Sequence, residues 1–343
     1  MTIFSTQRRQ LLCASLAALG ILNAPGAEAA TRQLRIGTLA PKNSLYHRQL
    51  QAVGEAWRTA QGGDAKYLIF PDGSQGGEAE LARRMRIGQL QGALISVVGL
   101  REIEPSIAAL QSLPLLFKSW EEVDYVREKM RAGMEKKFFD KGFVVLAWGD
   151  SGWVRFFSKE AAFRPADYLK MKFFAWGAES EQQEIMKSLG YTPVPLETSD
   201  ILPAIQTGMI SVVPSTPYFA LASQIYNTAP NMLEINWAPI VGALVITRKA
   251  WDDMDDSAKQ IVRSAGEKAG LAMRTQARAE VEEAVAAMKQ RGLVVNKPTA
   301  DQMKEWSALA DKLYPRIRGH MVPAETFDEV FMHRKAFRAT QGR

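Results

Sequence analysis

Gly149-Asp-Ser-Gly152 has the makings of a serine nucleophile: a hydroxyl between glycines with an acid beside it. Such a serine attacks a carbonyl only when a histidine base and a buried aspartate are brought against it. The one upstream histidine, His47, sits in Leu45-Tyr-His-Arg48 without catalytic context, so hydrolysis at Ser151 is disfavoured and no enzyme is expected. Metal binding needs clustered nitrogen, sulfur or carboxylate ligands. The three histidines, His47, His320 and His333, stand at no ligand spacing. Gly73-Ser-Gln-Gly-Gly77 lacks the lysine of a phosphate-cradling loop and the spacing of a dinucleotide turn, and reads as a plain turn. Neither a metal nor a cofactor is expected.

The elements that must position any site begin after residue 29. Arg8-Arg9, an apolar run over 11–22 and Ala27-Glu-Ala29 spell a secretory signal with an A-x-A cleavage pattern, too short to span a bilayer. The arginine pair leaves both the twin-arginine and the general secretory routes open. The only cysteine, Cys13, lies inside that signal, so the exported chain has no disulfide and must be held by its core. Net charge falls from +6 to +5 when two arginines and one glutamate leave with the signal. No basic stripe interleaved with aromatics exists, which excludes a nucleic-acid site.

Along the remaining chain, strand, helix, strand, helix, strand recurs twice, which predicts an α/β architecture with parallel pairing. The first unit has strands at 33–37, 65–70 and 92–98 and helices at 46–59 and 78–87. The second follows a strand at 144–148. It has strands at 172–176 and 209–213, the latter stopped by Pro214, and helices at 179–189 and after Ser199 or Asp200. A strand at 241–247 precedes a proline-free pattern over 256–290. One helix of that length would run about 50 Å. Gly266 and Gly270 favour the more cautious reading of two consecutive helices. His333-Arg-Lys-Ala-Phe-Arg338 reads as a helix end fraying into a tail. Trp57, Trp120, Trp251 and Trp306 lie in helical patterns and are expected to pack.

Several segments, in order, resemble the DctP family, the extracytoplasmic solute receptors of TRAP transporters. Arg35-Ile-Gly-Thr38 resembles the family's opening strand, and Phe70-Pro-Asp-Gly-Ser-Gln-Gly-Gly-Glu78 its P-x-G-x-L-G turn. Ile87-Gly-Gln-Leu-Gln-Gly-Ala93, Leu113-Pro-Leu-Leu-Phe117, Gly190-Tyr-Thr-Pro-Val-Pro195 and Ala204-Ile-Gln-Thr-Gly208 are similar to further motifs. The resemblance covers nearly all of the exported chain. It implies a two-lobed α/β periplasmic solute-binding fold with a hinge, mixed sheets flanked by helices and a long helix spanning both lobes. The lobes are expected at 30–153 plus 241–280 and at 154–240 plus 281–343. It also implies a monomer that passes a small solute to large and small permease subunits, with no bond chemistry.

The departures from the family bear on the ligand. The resemblance implies an arginine clamp for a carboxylate, two parallel N–H donors meeting two oxygens. Aligned on Asp167-Tyr-Leu-Lys-Met-Lys-Phe-Phe174, the arginine's place holds Phe174. A second family arginine falls at Val154, beside Arg155, and a polar asparagine becomes Ser215. A carboxylate buried without a partner would cost several kcal/mol or take up a proton. The expected ligand is therefore neutral or apolar, lipid-like or aromatic. Candidate ligand-facing residues are Leu39, Ser96, Trp148, Trp153, Val154, Arg155, Phe174, Trp176, Ser215, Tyr218 and Trp237, with Phe173 core by alternation. One alternative keeps an acid ligand with Arg155 as a relocated cation. Another is a ligand-free adaptor or sensor subunit.

Overall fold

A computed structural model describes residues 33–62 and 65–342; the expected signal at 1–29 lies outside the described residues. Among the described residues eleven strands form two sheets: β1 (Gln33–Thr38), β2 (Lys66–Phe70), β3 (Gly92–Ser96), β4 (Phe143–Trp153), β5 (Arg155–Ser158), β6 (Lys172–Trp176), β7 (Thr192–Leu196), β8 (Val212–Ser215), β9 (Asn231–Leu233), β10 (Pro239–Thr247) and β11 (Val294–Asn296). The first sheet runs β2-β1-β3-β10-β4, and the second β11-β9-β5-β8-β6-β7. Parallel pairs β1–β2, β1–β3, β6–β7 and β6–β8 mark the two α/β units.

The helices are α1 (Leu45–Gln61), α2 (Glu78–Arg86), α3 (Val97–Leu100), α4 (Trp120–Asp140), α5 (Ser180–Ser188), α6 (Ile201–Thr207), α7 (Pro217–Ala222), α8 (Arg248–Asp252), α9 (Asp256–Lys289), α10 (Ala300–Ile317) and α11 (Ala324–Thr340). Each sheet is covered on both faces. Val145, Ala243 and Val245 pack towards Val123, Val126 and Met130 of α4. Leu146, Leu244 and Ile246 pack towards α1 and α9 through Leu50, Val53, Val262 and Met273. In the second sheet Phe157, Phe174 and Val213 meet α6 at Ile201 and Ile205. Its other face sets Phe156 and Phe173 against Trp306 of α10.

The chain crosses between sheets twice in extended form. It passes from β4 to β5 at Val154 and returns from β9 to β10 at 234–238. The two crossings are bonded to one another, Val154 N–H to Ala238 O at 2.8 Å and Trp237 N–H to Val154 O at 3.1 Å. The third connection is α9, a single helix of 34 residues, about 51 Å long at 1.5 Å per residue. The reading of two helices is thus corrected, and the glycines serve a different purpose. A Cβ at Gly270 would lie 2.6 Å from Trp148 O, and one at Gly266 would collide with Leu146 O. They let α9 lie directly on the β4 backbone.

Three further expectations are revised. Pro214 does not stop its strand but lies inside β8, opposite Phe156. Proline has no N–H to give, and the β8–β6 ladder is confined to the pair Phe173–Val212. The basic C-terminal stretch is no fraying tail: Arg338 donates to Leu116 O at 3.0 Å and pairs with the buried Glu122 of α4. Segment 281–343 therefore does not stay with the second sheet. Its last helix, α11, packs Phe327 and Val330 into the core of the first.

Candidate functional site

Between the sheets lies a cleft enclosing about 1070 Å³, part of it open to solvent. The first lobe supplies Leu39, Tyr46, Glu78, Ser96, Gln111 and Ser151, and the second Trp176, Thr198, Pro214, Ser215, Thr216 and Tyr218. Tyr46 and Tyr218 meet edge to face across it, ring centres 6.1 Å apart. Arg101, just past α3, pairs with Glu181 of α5 on the opposite lobe and lies 3.8 Å from Glu179.

Ser151 owes its position to backbone geometry. The β4–β10 register pairs Val241 with Asp150 but Ile240 with Gly152, so Ser151 is the extra residue of a β-bulge. Gly152, at φ +108°, takes a conformation that residues with a side chain rarely adopt. The Gly-Asp-Ser-Gly motif thus turns the strand towards the hinge. His47 is buried and accepts a bond from Asn43 N–H through Nδ1 at 3.3 Å; it does not line the cleft with Ser151.

The acids that face the cleft are already engaged. Asp150 is fully buried and accepts from Arg127 Nη1 at 3.0 Å and Arg278 Nε at 3.0 Å. Arg278 reaches on to Asp124 with two bonds of 2.7 Å, so α4, β4 and α9 are tied together by one ion network. Glu78, at the first position of α2, accepts from Ser96 Oγ at 2.6 Å, Ser96 N–H at 2.9 Å and Gly99 N–H at 3.0 Å. Burial pushes its pKa up, while these three donors pull the other way. Among the described residues no arginine, lysine or histidine lines the cleft.

A second chamber adjoins the cleft, with Gln111, Trp176, Pro214 and Ile240 lining both. Of the candidate residues, Leu39, Ser96, Trp176, Ser215 and Tyr218 line the cleft. Val154, Phe174, Trp176 and Trp237 line the second chamber. Ser96 spends its hydroxyl on Glu78. Phe174 is 2% exposed and packs against Phe157 and Ile205, with its ring centre 5.0 Å from that of Trp176. Phe173, expected to be core, packs on the opposite face with Phe156 and Tyr168 and also borders the second chamber.

Three candidates do not reach either space. Trp148 points to α4 and donates to Glu135 Oε1 at 2.9 Å, because a bulge at 145–147 interrupts strand alternation. Trp153 packs against Trp120, ring centres 4.7 Å apart. Arg155 alternates away from Val154, is buried, and lies 3.6 Å from Glu234. Burial pushes its guanidinium below its usual range against the pull of Glu234 and Glu282. Sequence reasoning missed Tyr46, Glu78, Gln111, Asp150 and Glu179. Glu78 read only as an acid starting a helix, and Gln111 sits in an irregular stretch without periodicity.

The family model for bacterial extracellular solute-binding protein, family 7, matches residues 36–319. The protein YiiZ of Salmonella typhimurium is 27% identical over 47% of this chain, and the match spans 50% of that relative's length. The C4-dicarboxylate-binding periplasmic protein DctP of Rhodobacter capsulatus is 22% identical over 76% of this chain and 79% of its own. Among solved structures, a TRAP periplasmic solute-binding protein from Sulfitobacter sp. NAS-14.1 with bound β-D-galacturonate superposes with a TM-score of 0.80 at 19% identity. It covers 89% of this chain and all of its own. The family and fold are those of non-enzymatic receptors, two α/β lobes about a cleft. The chain belongs to the DctP family of bacterial extracellular solute-binding proteins.

Proposed function

We propose that this chain is the periplasmic receptor of a TRAP-type transporter whose ligand is neutral or largely apolar. It is exported by the signal at 1–29 and delivers that solute to large and small permease subunits. The observation that carries the reading is the absence, among the described residues, of any cation lining the cleft and the second chamber. Glu78, Asp150 and Glu179 line them instead. A carboxylate brought here would lose its water, a cost of several kcal/mol with no guanidinium lining the space to offset it. Apolar ligand surface gains about 25 cal/mol per Å² on burial. Trp176, Ser215 and Tyr218 are the side chains of choice for ligand contact.

The two extended crossings at Val154 and Ala238 act as the hinge, and α9 braces both lobes. Closure on a ligand follows if its contacts are better in the closed arrangement than in the open one. The acid-binding alternative draws on the relatives, whose names and bound ligands include C4-dicarboxylate and galacturonate. It would need Arg155 in the cleft, where Arg155 instead faces Glu234. Native mass spectrometry of receptor taken from the periplasm, with thermal shifts against succinate, galacturonate and uncharged solutes, separates the readings. An uncharged co-purifying mass is expected; tight binding of either acid would sink the proposal.

A further inference from the structure

The second chamber encloses about 1090 Å³, including its opening, beneath the face of the second sheet that carries Phe156 and Phe173. It is walled by Ile185 of α5, by Trp306 and Leu309 of α10, and by Trp237 at the hinge. Because Gln111, Trp176, Pro214 and Ile240 line both chambers, the two form one elongated space with a neck at Trp176. Protein interiors are packed at crystal-like density, with few voids larger than a water. Wherever such a hollow has no packing partner, its apolar lining forfeits contacts. An occupant that filled it would restore them.

Polar side chains are concentrated in the cleft, although Ser112, Glu179 and Gln182 also line the second chamber. The cleft has Ser215 and Tyr218, while the acid of the second chamber, Glu179, lies 3.8 Å from Arg101. At the neck, Gln111 accepts from Val241 N–H through Oε1 at 3.1 Å, which leaves its Nε2 amide as a donor to the shared space.

We propose that the ligand is an uncharged amphiphile, with a hydroxyl, ether or carbonyl head in the cleft near Gln111 and Ser215. Its unbranched hydrocarbon tail passes Trp176 into the chamber under the second sheet. The inference rests on the neutral-ligand reading and adds a direction and a length to it. A fatty acid is disfavoured, since among the described residues no cation lines either chamber to meet its desolvated carboxylate.

The purified receptor is titrated with 1-hexanol, 1-octanol, 1-decanol and sodium decanoate, read by tryptophan fluorescence and native mass spectrometry. Affinity for the alcohols should rise about fourfold per methylene, the equivalent of ~0.8 kcal/mol each. Leu309→Trp, which fills the second chamber, should weaken decanol by about tenfold or more and leave hexanol within about twofold. Ile185→Trp fills it from α5 and should do the same, so that one misfolded variant leaves the test standing. Affinity that is flat beyond hexanol, or filled variants that still bind decanol normally, overturns the tail chamber and leaves the neutral-ligand reading intact. Binding of decanoate without binding of any alcohol overturns both.

Discussion

Glu179 offers a test of whether the lobe contact seen here governs closure. It is 5% exposed, at the start of α5, beside Arg101 of the other lobe. Burial pushes its pKa from 4.5 up to about 7; Arg101 opposes this, while Glu78 and Glu181 add to it. At 3.8 Å and without a hydrogen bond, the Arg101 pair is too weak to offset desolvation. At ~1.36 kcal/mol per pKa unit, the difference amounts to about 3 kcal/mol. The folded pKa is raised, so the stabilisation is fully present below 4.5 and is lost as pH rises through 7. Burial and Glu78 of the first lobe carry the cost of ionisation, so separation of the lobes relieves it, although it also gives up the opposing pull of Arg101. Glu179→Gln removes the titration. A chain lacking residues 1–29 has no cysteine, so Lys42→Cys and Ser199→Cys at the two exposed rims can carry a dye pair for energy transfer. Between pH 5 and pH 8 the closed-to-open ratio should fall by up to about a hundredfold. Glu179→Gln should flatten most of that change. Equal pH profiles in the two proteins would refute the argument.

Other outcomes follow from the packing. Gly270→Ala places a Cβ 2.6 Å from Trp148 O and should destabilise the chain by about 1–3 kcal/mol in urea unfolding, by forcing α9 off β4. Asp150→Asn leaves Arg127, buried, and Arg278 without their shared carboxylate, and should cost about 3–5 kcal/mol by the same measurement. Phe174→Arg sets a cation among Phe157, Ile201 and Ile205, so the expected result is a melting point far below wild type rather than a new acid site. A stable variant that binds succinate would show that Phe174 faces ligand.

The sequence carried the fold because helical and strand periods, turn residues and motif order all agreed. Strands at 33–37, 172–176 and 241–247 appear where alternation and flanking turns put them. The site was less legible for two reasons. Bulges in β4 moved Trp148 out of the cleft and Ser151 into it, and a bulge leaves no mark in a hydrophobic pattern. Packing also resolved the ambiguity of an aromatic on a strand: Phe174 is core and chamber wall together.

By itself the chain determined the family and the α/β class, since each is a matter of residue type and order. Only the tertiary structure decided where charge lies. Arg155 is one residue from Val154, which lines the second chamber, yet strand alternation turns it to Glu234. Asp150 and Glu78 reach the cleft already bonded to partners that come from other elements of the chain. Charge pairing between distant segments depends on distance in space, and that is set only when the sheets, α4 and α9 have packed.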